Sequence, residues 1–460
     1  MTTELRFKLR SNYYAVYFLI LGTVFSSCAS KKTSNSNTAT SDSAPVDFYT
    51  GLSILQGATD ETSTQISVVV PGKQEFHYKL LDGSREIPAS VQKKITRKTS
   101  EWAIDRLKYK GLQLGREYEL QVRNSKGEIV DERKLSTLNR NSTKVRFVLV
   151  SCMDDTYVVE QKQMWQEATS FSPQMLILNG DTIYADKRIG PYVGPASIDT
   201  VWDRHVETRN ILELYRLKKM IPILASWDDH DYGLNNGDAT YAEKVESKKV
   251  FESFFAQEAI PGVLEKGPGI SSIYTGFGQR FILTDDRTYR SRDFDEGARP
   301  EEQTHWGAEQ EKWIVSKLNE KKLGTWFFNG DEMFGGYAQP FESYEGNHPH
   351  SFKKMMKQIM TAKSPVVFGT GDRHLIEMMR IAKSEYGYET FELVTSAMHA
   401  KVFPSTWDKY PNPRQIEGVT MKFNYMVIDS SAIPGGIEFE VQGMGQGNET
   451  LFRRIERVTK

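Results

Sequence analysis

Residues 226–233 read SWDDHDYG, with three aspartates and a histidine in four consecutive positions directly after the apolar run MIPILA. Carboxylates this close repel one another and resist leaving water, so a cation is expected among them. The pattern recurs. Apolar runs at 145–151, 174–180, 220–226, 280–285, 325–330 and 364–371 lead into SCMDD, NGDTIYAD, SWDDHD, TDDRTYR, NGDEMF and GTGDRH. A single aspartate after a strand can be no more than a helix cap or a turn. Six such endings, with Cys, Tyr and His among the carboxylates, predict one ligand site at the carboxyl edge of a sheet.

The residue types divide the candidates. Cys152, Asp181, Tyr184 and His374 offer thiolate, carboxylate, phenolate and imidazole, a set that favours a transition metal, with iron the natural choice. Asp228, Asp229 and Asp372 offer hard oxygen and suit calcium, magnesium or manganese. Asp181 could bridge the two. The expected centre is heterometallic, and metal binding should stabilise the fold by linkage.

Other elements must hold these groups in place. Near-continuous apolar strands alternate with helical stretches such as VWDRHVETRNILELYRLKK and AEKVESKKVFESFFAQ, which argues for α/β sheets covered on their faces. KFNYMVIDSSAIPGGIEFEVQGM predicts a closing hairpin. Before them, residues 46–140 alternate in short runs broken by PGK, DGS and SKGE, the signature of an all-β antiparallel sandwich of immunoglobulin or fibronectin type. Residues 141–460 would then form a second domain, the one that carries this ligand site.

The N-terminus carries Arg6, Lys8 and Arg10, then YYAVYFLILGTVFSS before Cys28. A basic segment, a short apolar run and small residues make a secretory signal. FSSC resembles a bacterial lipobox, so residues 1–27 are expected to be removed and Cys28 lipidated; an uncleaved anchor is the alternative. Residues 28–45, rich in Ser, Thr, Asn and Ala, would be a flexible tether. The protein is therefore expected to be exported and membrane-anchored, on the periplasmic or outer-membrane face. With Cys28 lipidated, Cys152 has no disulfide partner, leaving core filling or ligation. The 59 Lys and Arg nearly balance the 60 Asp and Glu, which gives no nucleic-acid signature.

The succession SC, GDxxYAD, WDDHD, DxRxYR and GDRH resembles the PhoD-type alkaline phosphatases of the calcineurin-like metallophosphatase superfamily, over residues 145 to about 430. That resemblance implies a calcineurin-like core behind an N-terminal β-sandwich, and a centre of one Fe3+ with Ca2+. DDHD and GDRH stand where purple acid phosphatases have GNHE and GHxH, placing carboxylates at Asp229 and Asp372. The implied reaction is phosphate-ester hydrolysis by a hydroxide bridging two metals about 3.5–4 Å apart. Cys152 is then a ligand rather than a nucleophile. His230, between carboxylates, is the candidate proton donor to the leaving alkoxide, or a donor to the phosphate. Arg287 and Arg290 either hold phosphate oxygens or pair with Asp285 or another site carboxylate. Asp331 binds metal or caps a helix, and Asp154 and Asp155 are left unassigned. GNHPHSF, 346–352, reads as a solvated polar turn, with a substrate loop as the alternative. Rival readings are a phosphodiesterase or phospholipase D-like enzyme, and a non-catalytic lipoprotein that captures phosphate ligands. The substrate is a small-molecule or lipid phosphate ester.

Overall fold

Alternate residues of the central strands serve two different cores, which is why their sequences are apolar throughout. A computed structural model describes residues 51–187, 194–293, 299–335, 342–403 and 412–460. The expected signal, tether and Cys28 lie outside the described residues.

Eight strands come first: β1 (Ser53–Thr59), β2 (Ser63–Pro71), β3 (Phe76–Asp82), β4 (Arg85–Ile87), β5 (Val91–Thr96), β6 (Trp102–Lys110), β7 (Glu117–Asn124) and β8 (Ile129–Ser136). They pair antiparallel as two four-stranded sheets, β1-β2-β6-β5 and β4-β3-β7-β8. Ile66, Val68, Tyr78 and Leu120 share the core between them. Val69 of β2 points the other way, into a cluster with Trp202 and Phe251 of the following segment. Arg209 fastens the same contact. Fully buried, it donates to Ser67 Oγ at 3.0 Å and to the Ser67 and Phe254 carbonyls at 3.1 Å each.

After β8 the chain turns mixed α/β, still dominated by sheet. In order come β9 (Lys144–Val150), α1 (Val158–Ser170), β10 (Met175–Asn179), α2 (Ile198–Ile211), β11 (Ile223–Ser226), α3 (Asp229–Tyr232) and α4 (Lys244–Phe254). Then follow β12 (Leu264–Lys266), β13 (Ser272–Gly276), β14 (Gln279–Leu283), α5 (Gly307–Glu320), β15 (Gly324–Phe328), α6 (Tyr344–Asn347), α7 (Pro349–Thr361) and β16 (Val366–Thr370). The remaining strands are β17 (Ile376–Ile381), β18 (Thr390–Thr395), β19 (Gln415–Val419), β20 (Asn424–Ile433), β21 (Gly436–Gly445) and β22 (Glu449–Thr459).

These strands build a six-stranded sheet, β11-β10-β9-β20-β21-β22, and an eight-stranded sheet, β12-β13-β14-β15-β16-β18-β17-β19. In the first, Phe147, Leu149 and Ile177 face the second sheet, while Val148, Val150 and Leu178 face the helices. Phe147 makes edge contacts with Trp326 at 5.1 Å and Phe281 at 5.7 Å. The expected closing hairpin is β20–β21, extended by β22 into a three-stranded meander.

Strands β9, β10 and β11 are mutually parallel, as are β14, β15 and β16. Their polar endings therefore gather at one edge of each sheet, where the two sheets meet. Glycine permits the meeting at Gly371, where a Cβ would strike the Ser151 side chain, and at Gly330, where it would lie 2.8 Å from the Trp227 carbonyl. Gln257 covers the free edge of β11, accepting from Ala225 N at 3.0 Å and donating to Ala225 O at 2.8 Å.

GNHPHSF is not a solvated turn. It contains the start of α7, with Pro349 in its first turn, and His348 and Phe352 are buried. Proline's fixed φ and missing N–H suit the first helical turn, and α7 lays Phe352, Met355, Met356 and Ile359 on the core. Among the described residues no helix is long and apolar enough to cross a membrane. Replacing Phe147 by Ala removes the ring on which both sheets pack and is expected to cost about 3–5 kcal/mol in denaturant unfolding.

Candidate metal centre

The apolar strands stop where the chain leaves the extended region. Cys152, Asp181, Asp372 and His374 follow β9, β10 and β16 with φ of 59°, 50°, 66° and 54°. A left-handed backbone at a non-glycine residue costs of order 1 kcal/mol or more and persists where surroundings over-determine it. Here backbone bonds between the strand ends do so: Cys152 N donates to Gly180 O, Gly180 N to Ser226 O, and Gly371 N to Gly330 O.

Among the described residues four groups of possible ligand atoms lie within 4.8 Å of one another: Cys152–Asp181–His374, Asp181–Asp229–His230, Asp181–Asp228–Asp229–Asp372, and Asp286–His305–Asp331. Asp181 belongs to the first three. Tyr184 packs in one apolar cluster with Cys152, its hydroxyl 3.5 Å from His374 Nε2. His374 Nδ1 bonds the Lys401 carbonyl, which leaves Nε2 facing the sulfur side, the usual support for a ligating imidazole.

The fit to cations rests on buried atoms left over. Asp228 Oδ2, Asp229 Oδ1 and Asp372 Oδ2 have no hydrogen-bond partner, and orphaned buried carboxylate oxygens are costly unless a cation takes them. Burial first, then neighbouring carboxylates, push Asp181 and Asp372 well above the usual carboxylate range; Asp181 also feels the Cys152 charge. Burial lifts Asp228 too, against the pull of Arg287. Burial would raise Cys152, but the His374 charge and hydrogen bonds outweigh it and hold the thiol down to about 6. The donor set, thiolate and imidazole on one side and carboxylates on the other, suits a transition metal beside a hard cation.

WDDHD resolves into separate roles. Asp228 accepts from Arg287 Nε at 2.6 Å on Oδ1, leaving Oδ2 free. Asp231 points away from the cluster, accepting from Thr182 N at 2.9 Å, Ile183 N at 3.2 Å and Asp228 N at 3.1 Å. Hydrogen bonds, not a cation, satisfy it.

Next to it, His230 Nδ1 lies 2.6 Å from Asp186 Oδ1, while Asp186 Oδ2 accepts from Asn235 N at 2.6 Å. Burial disfavours the imidazolium, but the Asp229 charge and the Asp186 bond carry its pKa up to about 9. Asp186 closes the GDxxYAD stretch; its place in a six-ending pattern was the available signal, yet only contact shows its partner.

The two arginines part company. Arg287 reaches the cluster through Asp228, and its Nη1 has no partner. Arg290 pairs with Asp331 at 2.7 Å and Asp293 at 3.1 Å. Neither guanidinium pairs with Asp285, which accepts from Trp227 Nε1, Thr288 and the Arg287 backbone N–H. Asp331 also takes Asn329 Nδ2 at 2.5 Å and lies 3.0 Å from His305 Nε2. No sequence motif marks His305. Asp154 is held by Lys187 at 2.5 Å and by Thr156, and Asp155 by Arg204 at 2.6 Å and Thr208; neither enters a ligand group.

Residues 147–429, well over half of the 460, match the family model described as PhoD-like phosphatase. The chain belongs to the PhoD-like phosphatase family. It is accordingly a phosphoric ester hydrolase of a metal-dependent family. No curated protein matches it. The matched span contains every strand ending that contributes to this phosphatase's centre.

The raised carboxylates set a pH dependence. Metal-free, the folded phosphatase keeps protons on Asp181, Asp228 and Asp372 that the unfolded chain releases near pH 4, so these groups make stability fall as pH rises. His230 acts in the same sense, its contribution lost as pH passes about 9. Asp229 and Cys152, both lowered, oppose it but are fewer. Thermal unfolding of chelator-stripped protein is expected to show a lower midpoint at pH 8 than at pH 5, with added metal raising it most at pH 8.

Proposed function

We propose that this phosphatase hydrolyses phosphate mono- and diesters at an iron–calcium centre. In this reading Cys152, Tyr184, His374 and Asp181 hold Fe3+, and Asp181, Asp228, Asp229 and Asp372 hold Ca2+, with Mn2+ or Mg2+ as alternatives at the hard position. The observation that carries it is Asp181's membership in three of the four ligand groups beside three orphaned carboxylate oxygens. When bound, the cations would polarise the phosphoryl group and activate the attacking water.

The chain's own side chains supply the rest. His230, held through Nδ1 by Asp186, presents Nε2 as the proton donor to the departing alcohol oxygen. Arg287, oriented by Asp228, offers Nη1 to a non-bridging phosphate oxygen. Arg290 is not given that role, because its charge is taken by Asp331 and Asp293; it braces the loop that carries Arg287.

The same reading takes residues 141–460 as a calcineurin-like catalytic domain and 46–140 as an immunoglobulin- or fibronectin-like domain, supported by the paired sheets. It places the protein outside the cytoplasm, lipidated at Cys28 after loss of residues 1–27, on the strength of the N-terminal pattern. A Cys28→Ala variant should then leave the membrane fraction.

Purified protein should contain iron and calcium and release nitrophenol from mono- and bis-nitrophenyl phosphate at alkaline pH, with activity lost on chelation. Folded, metal-free protein turning over neither compound sinks the proposal. His230→Ala should lower kcat about 10²–10⁴-fold. Asp186→Asn should lower it about 10–100-fold with metal content unchanged. An Asp186→Asn variant of full activity would remove the Asp186–His230 pair from the mechanism.

A further inference from the structure

The fourth ligand group shares no residue with the other three. Asp286 follows β14, Asp331 follows β15, and His305 stands just before α5. All three are fully buried. An oxygen of each aspartate and a ring nitrogen of His305 lie within 4.8 Å of one another. Asp331 Oδ2 accepts from Arg290 at 2.7 Å, while Oδ1, beside Asn329, faces His305 Nε2 at 3.0 Å. Asp286 Oδ2 accepts from Asp331 N at 3.1 Å, but Asp286 Oδ1 has no hydrogen-bond partner. Arg287 Nε stands 3.9 Å from that oxygen and is bonded to Asp228.

Neutral side chains do not bring enough protons to satisfy this group. His348 Nε2 lies 3.1 Å from the Ser291 carbonyl and 3.6 Å from Asp293 Oδ1. Both of those oxygens accept, so Nε2 carries the ring's proton and Nδ1 of the neutral imidazole is bare. His305 Nδ1, 3.5 Å away, then supplies the proton between the two rings. That leaves His305 Nε2 as a lone pair facing a carboxylate oxygen. An imidazolium would mend this contact, yet burial pushes both rings below their ordinary pKa, and the Arg290 charge adds to the effect. A metal ion would mend it too, and would also take the orphaned oxygen of Asp286, whose burial is otherwise costly. The local charge agrees. Arg290, already paired with Asp293 and Asp331, leaves the surplus of negative charge that a dication neutralises.

We propose that Asp286, His305 and Asp331 form a separate metal site that holds a divalent transition cation of the zinc class. One imidazole nitrogen and two carboxylate oxygens suit zinc, whereas calcium prefers oxygen throughout. The cation would tie the ends of β14 and β15 to the start of α5, in the segment that carries Arg287 and Arg290. Its role is structural, since the His305 ring is covered by Tyr344, stacked at 4.2 Å. The site goes beyond the iron–calcium reading and does not depend on it.

The test is the metal content of the full chain after unfolding in chelator and refolding with Zn2+ alone. A His305→Gln variant is expected to hold one zinc fewer per chain than the unmodified protein. The difference should persist in an Asp372→Ala background, which separates this site from the centre around Asp181. In protein labelled with 15N-histidine, the His305 ring resonance, assigned by its loss in the variant, should shift on loading with Zn2+. An equal zinc content in the two chains overturns the site, and so does a difference that vanishes in the Asp372→Ala background. A His305 ring that carries two protons and does not respond to Zn2+ overturns it as well, since an imidazolium then supplies the third proton. If His305→Gln does not refold, the same comparison is made with Asp286→Asn, which keeps the side chain's size and removes its charge.

Discussion

Four carboxylates, Asp181, Asp228, Asp229 and Asp372, converge inside the protein within hydrogen-bonding reach of too few donors. That crowding is the constraint on which the remainder depends. One guanidinium, from Arg287, and one imidazole, from His230, stand against it. Because like charges in a buried site cannot all ionise together, the centre is electrostatically incomplete as a purely protein structure. It is a socket for cations, and the fold is arranged to hold that socket open.

The arrangement works through two sheets whose parallel strands end at the same edge. Parallel order sends successive strand ends the same way, and glycine at Gly330 and Gly371 lets the two edges approach without side chains between them. Left-handed turns at Cys152, Asp181, Asp372 and His374 then direct side chains into the gap. Each turn is locally unfavourable, and the aromatic core around Phe147 and Trp326 supplies the packing that holds it.

Much of this was legible from residue order. The strand ends, the covered sheets, the early antiparallel sheets and the grouping around Asp181 follow from apolar runs, turn residues and donor types. What could not be read was partnership between distant segments. Asp231 looks like Asp228 and Asp229 in SWDDHDYG, yet a turn of helix aims it at Thr182 and Ile183. Arg287 and Arg290 sit three apart in TDDRTYR but meet different acids. GNHPHSF reads polar because alternation hides which of its residues α7 turns inward, and His305 has no local motif because its partner, Asp331, belongs to another strand end. Sequence displays which chemistry is present; long-range contact decides which groups share it.

Gln257 gives the strand carrying this chemistry a further property. By bonding both the N–H and the carbonyl of Ala225, one side chain imitates a neighbouring strand at the border of the six-stranded sheet. At the opposite border, β22 carries Arg453, Arg454, Glu456 and Arg457. One margin is thus plugged and the other is charged, two ways of discouraging a second molecule from adding its own strand. The sheet that ends in the ligand loops thus offers a second molecule a ready template at neither margin, so copies of this enzyme can crowd together with less risk of being drawn into shared sheets.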